Sequence, residues 1–171
     1  MNIFPSSISS PRALVVLVVL SVSGLLSASL VNAAEAPTFA VQTDAGTLSI
    51  KDFKNQVVYL DFWASWCGPC RQSFPWMNEM QARYGDQGFR VVAINLDDER
   101  ANADRFLTEI QANFDIGYDP EGKTAEMYGL KVMPSSYLID RDGNLVLAHK
   151  GFKTRDTVSM ETKIKELVAK R

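Results

Sequence analysis

Residues 57–70 have the sequence VVYLDFWASWCGPC, an apolar run followed closely by both cysteines of the 171-residue chain. β-Branched and aromatic residues dominate the run and favour a strand, and the segment after Gly68 favours a helix. Cys67 and Cys70 are therefore predicted to lie between the end of a strand and the N-terminus of a helix. Unpaired backbone N–H groups and the positive end of the helix dipole stabilise a thiolate there.

The spacing of the two cysteines indicates what they do. Two thiols separated by two residues close a small disulfide ring and reopen it with little backbone motion, as electron transfer requires. A structural zinc site needs four Cys or His ligands, and the chain offers two Cys and one His, His149. A structural disulfide stabilises most when it closes a long loop, and this ring encloses almost none. Thiol–disulfide exchange is favoured over metal binding, a structural bridge or an inactive site.

The first 33 residues differ in composition from the remainder. Ala13–Leu30 carries no charge and consists mainly of Leu, Val, Ala and Ser, and small residues follow it. Residues 1–33 are therefore predicted to be a secretory signal peptide, cleaved after Ala33 or Ala34. An uncleaved membrane anchor is the alternative, disfavoured by the interspersed serines and by the absence of Lys or Arg between Leu30 and Lys51. Both outcomes predict a periplasmic or otherwise extracytoplasmic domain.

Residues 34–171 are long enough for a single domain with one hydrophobic core. The chain has 18 basic and 20 acidic residues and no basic stripe, so nucleic-acid binding is not expected. In an oxidising compartment an exposed dithiol stays reduced only if electrons are supplied to it. A single cysteine pair there indicates dedicated redox chemistry rather than a disulfide-stabilised scaffold.

Hydrophobic periodicity predicts alternating strands and helices after residue 37. A hairpin is predicted over 38–50 with its turn at Ala45-Gly46. Further strands are predicted at 56–63, 89–96, 114–118, 136–139 and 145–148, and helices at 68–84, from 97–99 to about 111, at 123–129 and from 154 to the end. This order combines parallel crossovers with an antiparallel hairpin. We therefore expect an α/β fold with a mixed central sheet and helices on both faces.

Two details of the helices are predicted from individual residues. Pro75 is expected to kink the first long helix, because its ring removes a hydrogen bond and crowds the preceding turn. Asp97-Asp98-Glu99 is expected to cap the second helix on a solvated surface rather than to bind a metal.

With the cysteine segment and this element order, the chain resembles the thioredoxin superfamily. Residues 61–71, DFWASWCGPCR, are similar to the thioredoxin active-site sequence, and residues 129–140, GLKVMPSSYLID, resemble the segment with the cis-proline of that fold. The N-terminal signal, Asn95-Leu96-Asp97 and residues 114–129 are more similar to the extracytoplasmic TlpA/ResA-like branch. The resemblance implies a thioredoxin-like three-layer sandwich over residues 34–171.

The resemblance also implies a substrate class. Many members of this branch carry Glu three residues after the second cysteine, where this chain has Ser73. They often carry Asn six residues before the first cysteine, where this chain has Asp61, as thioredoxin does. Disulfide-containing proteins in general are therefore the expected substrates, rather than cytochrome c apoproteins alone.

Each catalytic residue has an expected role. Cys67, nearer the helix N-terminus, is expected to be the attacking thiolate, and Cys70, one turn inward, is expected to resolve the mixed disulfide. Asp61 lies in an apolar strand, so burial is expected to raise its pKa and to let it exchange a proton with Cys70. A structural Asp with a paired cation is the alternative for this position.

The expected substrate-binding residues surround the cysteines. Pro134 is predicted to be cis and to present the backbone of Met133 to an extended substrate segment, which pairs like an added strand. An ordinary trans proline is the alternative. Trp66 is expected to form a wall of the binding surface, with Gly68 and Pro69 exposed between the cysteines.

The direction of electron flow is predicted from the same segment. No His or Lys lies between the cysteines to hold a thiolate, and Asp61 disfavours negative charge on the sulfurs. Both features predict a reductant that depends on a membrane protein to deliver electrons by thiol–disulfide exchange. We expect neither a bound cofactor nor a metal.

A copper metallochaperone on the same fold is the alternative function. It would use Cys67, Cys70 and His149, since thiolates suit Cu(I). Related copper carriers usually have three residues between their cysteines, which disfavours this alternative. A peroxidase is disfavoured further, because the WCGPC dithiol fits disulfide exchange better than a peroxide-reactive cysteine.

Overall fold

Residues 34–170 are described by a computed structural model. The predicted signal peptide or anchor at 1–33 lies outside these residues. The strands are β1 Ala40–Thr43, β2 Gly46–Ser49, β3 Val57–Trp63, β4 Phe89–Asn95, β5 Asp115–Tyr118, β6 Ser135–Ile139 and β7 Leu145–Lys150. The helices are α1 Gly68–Tyr84, α2 Arg100–Glu109, α3 Lys123–Met127 and α4 Thr157–Ala169.

All seven strands form one sheet in the order β2-β1-β5-β4-β3-β6-β7. β3, β4 and β5 are parallel, whereas β6, β7 and the β1–β2 hairpin join antiparallel. Helices α1 and α2 make the crossovers between the parallel strands, and the short hairpin needs none. The predicted mixed sheet is confirmed.

The side chains of β3 divide the core into two layers. Val57, Tyr59 and Trp63 pack with α1, α2 and α4, whereas Leu60 and Phe62 pack on the opposite face with α3. Every residue of β3 is buried, because helices or loops cover both faces of the central strands. The α/β sandwich with helices on both faces is therefore confirmed.

Helix α1 begins and ends as the sequence predicts. Cys67 is its N-cap, with extended backbone, and Pro69 lies in the first turn, where its missing N–H is not needed. The helix continues through Pro75 to Tyr84 without a break. Within residues 34–170, no helix is both long and apolar enough to cross a bilayer.

The prediction for the acidic residues before α2 is wrong for Asp97. The N-cap of α2 is Glu99, and its side chain makes no capping hydrogen bond. Asp97 is only 5% exposed and bonds to other residues, so it is not part of a solvated cap. Sequence composition alone does not show which of three neighbouring acids is turned inward.

Candidate active site

Cys67 and Cys70 form a disulfide at the junction of β3 and α1. Their Cα atoms are 5.3 Å apart, and the Cys70 amide donates to the Cys67 carbonyl at 3.1 Å. Cys67 retains slight exposure at 4%, whereas Cys70 has none. Ser73 donates its hydroxyl to the Cys70 carbonyl at 3.0 Å, which fixes the inner cysteine within the first turns of α1. Cys67 is therefore the sulfur nearer to solvent.

The environment of Cys67 favours a thiolate in the reduced protein. It caps a 17-residue helix whose first turn contains no acidic side chain. Arg71 lies one residue after Cys70 and pairs with Glu109 at 2.5 Å while stacking over the Phe106 ring. The helix N-terminus stabilises negative charge on the sulfur of its N-cap residue.

Asp61 faces the same side of the sheet as the disulfide. Tyr59 and Trp63, two residues before and after it, pack in the core cluster that contains Cys67 and Cys70. Because side chains alternate along a strand, Asp61 points into this cluster as well. The sequence prediction of an acid beside the cysteine pair agrees with this placement.

Among residues 34–170, no cation pairs with Asp61. Its cross-strand neighbours are Ala93 on β4 and Ser136 on β6, and its Oδ2 atom has no hydrogen-bond partner among residues 34–170. Ser136 instead accepts a hydrogen bond from the Tyr59 hydroxyl at 2.8 Å. Burial raises the pKa of the Asp61 carboxyl well above its ordinary value. The alternative of a structural Asp with a paired cation is not supported.

The peptide bond between Met133 and Pro134 is cis, as the sequence analysis predicted. Ser135, the next residue, lies opposite Phe62 near the end of β3, so the cis-proline is at the same end of the sheet as Cys67. Met133 is half-buried against the cluster that contains the two cysteines. The structure therefore brings this segment together with the disulfide.

The surface at this end of the sheet is apolar and exposed. Trp66 is 69% exposed, and Gly68 and Pro69 are also exposed between the cysteines. Val132, 47% exposed just before Met133, adds to this surface and was missed by the sequence analysis. The feature of the sequence that could have identified Val132 was its apolar side chain close to the predicted cis-proline. Large exposed apolar side chains at one end of a domain are typical of a binding surface.

His149 does not join the cysteines. It lies on β7 opposite Ser136, and its Nε2 atom is 3.6 Å from Asp156 Oδ2 at the start of α4. Over the described range 34–170, no group of three or more His, Cys, Asp or Glu side chains is arranged to hold a metal ion. The ligand set of the copper alternative is therefore not assembled.

A family model described as Redoxin matches residues 32–166, most of the chain. The chain belongs to this family. It is a ResA/TlpA-like member of the thioredoxin superfamily, as its resemblance implied.

Individual relatives agree with this assignment. The thiol-disulfide oxidoreductase ResA of Bacillus thuringiensis subsp. konkukian is 34% identical over 123 residues, which cover 71% of each chain. A Chlorobium tepidum structure with the provisional name thiol:disulfide interchange protein DsbE is 49% identical, with a TM-score of 0.78 over 80% of this chain and 96% of that one. The pneumococcal exposed lipoprotein thioredoxin of Streptococcus pneumoniae is 30% identical, with a TM-score of 0.65 over 77% and 100%. With the Cys67–Cys70 pair, these relatives show that this Redoxin-family chain is a protein thiol–disulfide oxidoreductase.

The buried carboxyl predicts how folding stability depends on pH. A folded-state pKa above the unfolded value makes Asp61 increasingly costly as the pH rises from about 4 toward the folded pKa. We expect Asp61→Asn to stabilise the oxidised protein at neutral pH by at least about 1 kcal/mol, with the gain vanishing near pH 4. Denaturant unfolding across this pH range measures it.

Asp119 provides the matched control, since it is a buried carboxylate that accepts hydrogen bonds from the backbone N–H groups of Lys123 and Thr124. We expect Asp119→Ala to destabilise the protein by about 1 kcal/mol. An Asp61→Asn variant that is less stable than the wild type at neutral pH would contradict the prediction.

Proposed function

We propose that this oxidoreductase reduces disulfides of other proteins outside the cytoplasmic membrane. The observation that carries the proposal is the buried Asp61, whose Oδ2 atom has no hydrogen-bond partner among residues 34–170 and which lies on the same core face as the dithiol. Only Gly68 and Pro69 stand between the two cysteines. A buried acid without a cation disfavours negative charge on the sulfurs, and no His or Lys between the cysteines opposes it. The reduced dithiol is therefore less stabilised than that of a strong oxidant such as DsbA, and it gives up its electrons more readily.

The reaction follows from the positions of the two sulfurs. The Cys67 thiolate attacks one sulfur of the substrate disulfide, and the other substrate sulfur leaves as a thiolate and takes a proton. Cys70 then loses its proton and attacks the Cys67 sulfur of the mixed disulfide. The second substrate thiol leaves, and the Cys67–Cys70 disulfide remains. Two electrons have moved from the dithiol to the substrate.

Asp61 is the proposed acceptor of the Cys70 proton. Cys70 is fully buried, so water does not readily take this proton. Asp61 is buried in the same layer of the core, and its raised pKa makes the carboxylate a stronger base than an exposed one. A base of this kind raises the thiolate fraction of Cys70 at the moment when it must attack.

The proposed substrates are unfolded or extended segments that contain a disulfide. Trp66 and Val132 offer apolar area near the disulfide, and the backbone beside Met133 offers hydrogen bonds to an extended strand. The exposed apolar side chains of Trp66 and Val132 favour apolar segments of the substrate.

The proposed location rests on residues 1–33, whose uncharged apolar stretch and small residues fit a signal peptide. The relative from Streptococcus pneumoniae, named an exposed lipoprotein, supports it. A reductant in an oxidising compartment needs a membrane thiol–disulfide protein to re-reduce it. Detection of the processed chain, beginning near Ala34, in an extracytoplasmic fraction tests the location.

The order of the cysteines is tested by alkylation. In the reduced protein, brief treatment with iodoacetamide at neutral pH should modify Cys67 before Cys70, because Cys67 is more exposed and lies at the helix N-terminus. Peptide mass spectrometry identifies the modified residue. Cys70→Ser should accumulate mixed disulfides with substrate, and Cys67→Ser should not. Earlier labelling of Cys70 would reverse the assignment.

The proton-transfer role of Asp61 is tested by its neutral isostere. Asp61→Asn should slow the reduction of insulin disulfides by about tenfold to a hundredfold, because a positioned base contributes roughly 10²-fold or more. The loss should be largest near neutral pH and should shrink at alkaline pH, where Cys70 ionises unaided. A pH–rate profile equal to that of the wild type would remove Asp61 from the mechanism.

The direction of electron flow is tested by the reduction potential. Equilibration with glutathione buffers should give a potential below about −220 mV, on the side of thioredoxin rather than of the oxidant DsbA. Pro69→His is the matched variant, and it should make the couple more oxidising because a histidinium stabilises the thiolate. A wild-type value above about −180 mV would make the protein a donor of disulfides.

A further inference from the structure

We propose that Asp97 is a positioning residue that holds the segment before Cys67 in its reactive geometry. Asp97 follows β4 and is 5% exposed, although it is one of three consecutive acids. The inference deepens the proposed function, since it rests on Cys67 as the attacking thiol. In this proposal Asp97 touches neither the sulfurs nor the substrate. It acts on Cys67 through Ser65.

Both carboxylate oxygens of Asp97 are used. Oδ2 accepts from the Ser65 backbone amide at 2.9 Å and from Asn95 Nδ2 at 2.8 Å, and Oδ1 accepts from the Ser65 hydroxyl at 2.8 Å. The Asp97 amide donates to Asn95 Oδ1 at 3.1 Å, so each side chain fixes the other. Asn95 is 1% exposed at the end of β4, which gives the pair a rigid base.

Ser65 controls the placement of Cys67. It is the second residue before the cysteine, in the loop between β3 and α1. The adjacent Ala64 carbonyl accepts the Cys67 amide at 3.1 Å, and the Trp63 carbonyl accepts the Leu96 amide at 2.9 Å. The loop is therefore tied to the segment after β4 at Trp63 and at Ser65, and the Ala64–Cys67 hydrogen bond closes it on itself.

The residue between Ser65 and the cysteine does little to hold this loop. Trp66 is 69% exposed, so its packing cannot fix the backbone before Cys67. Cys67 itself is an N-cap without a side-chain capping hydrogen bond. Within residues 34–170, the hydrogen bonds from the segment after β4 to this loop come from the Leu96 amide and from Asp97, and only Asp97 is charged. Hydrogen bonds to charged groups are stronger than those between neutral groups.

Position and charge predict opposite effects when Asp97 is replaced. Loss of a negative charge near Cys67 would by itself favour the thiolate and lower the pH at which Cys67 ionises. Loss of the loop's position would move Cys67 away from the helix N-terminus, raise that pH and slow the attack. A displacement of about 1 Å in a reacting group can cost roughly a hundredfold in rate.

The experiment compares Asp97→Ala with Asp97→Asn in the full chain. Thiolate ultraviolet absorbance in a Cys70→Ser background follows the ionisation of Cys67 alone. Asp97→Ala should raise the midpoint pH of this titration and slow insulin reduction by the two-cysteine protein by about tenfold or more. Asp97→Asn should recover most of the rate, because its amide oxygen still accepts from the Ser65 amide.

Asp140→Ala is the matched control. The Asp140 carboxylate also accepts hydrogen bonds from two backbone amides and one side-chain amide, of Asp142 and Asn144, in the turn at the other end of the sheet. The Asp140→Ala variant should lower the unfolding midpoint without changing the pH midpoint of Cys67 ionisation. If Asp140→Ala raised the Cys67 midpoint as much as Asp97→Ala does, the effect would come from general destabilisation and the proposal would be overturned.

Two further outcomes would also overturn the proposal. A lowered or unchanged Cys67 midpoint in Asp97→Ala would exclude positioning. An Asp97→Asn variant as slow as Asp97→Ala would show that the hydrogen bond from the Ser65 amide does not carry the effect. If the wild-type protein is alkylated first at Cys70, the assignment of the attacking thiol fails by itself, whatever the Asp97 variants show.

Discussion

β3 pairs in parallel with β4 along its whole length and antiparallel with β6 over most of it, and this double pairing places every part of the site at one end of the sheet. The end of β3 leads into the loop and α1, which carry the cysteines. The end of β4 supplies Asn95 and then Asp97, and the start of β6 follows Pro134. A change of register between any two of these strands would separate groups that must act together.

The same pairing explains how an uncompensated acid is kept in the core. Asp61 is in the middle of a strand whose backbone is hydrogen-bonded on both sides, so it cannot turn outward without breaking the sheet. Folding therefore tolerates a costly group at the position of the proposed proton acceptor. A conflict between local burial and polarity of this kind is expected at functional sites.

Much of this arrangement could be predicted from the sequence, because the signals around β3 are local. An apolar β-branched run and a helix that starts at Gly68 place the cysteines without any long-range information. The position of Asp61 follows from strand alternation, and the cis-proline followed from the resemblance of residues 129–140. The hairpin turn at Gly46 was recognised from its dipeptide.

The errors have a common physical origin, since they concern contacts between segments far apart in the chain. Asp97 was assigned to a solvated cap because nothing in an acidic triplet shows that Ser65, 32 residues earlier, lies within reach. The copper alternative, which the sequence already disfavoured, required His149 beside the cysteines, and register instead pairs it with Ser136, one strand removed from β3. Val132 was missed because an apolar residue is usually buried, and only the fold shows that this one is not.

Two buried carboxyls near the dithiol have opposite environments, and this contrast assigns their different parts. Asp97 accepts hydrogen bonds at both carboxylate oxygens, so none of its acceptor oxygens is left without a partner. Asp61 has an oxygen without a partner among the described residues, so gaining a proton relieves the cost of its burial. An acid whose oxygens both accept hydrogen bonds suits the proposed positioning role, and an acid with an unpartnered oxygen suits the proposed exchange of a proton. The sheet places Asp97 beside the loop before Cys67 and Asp61 in the core layer that contains Cys70, as the proposed two-step exchange requires.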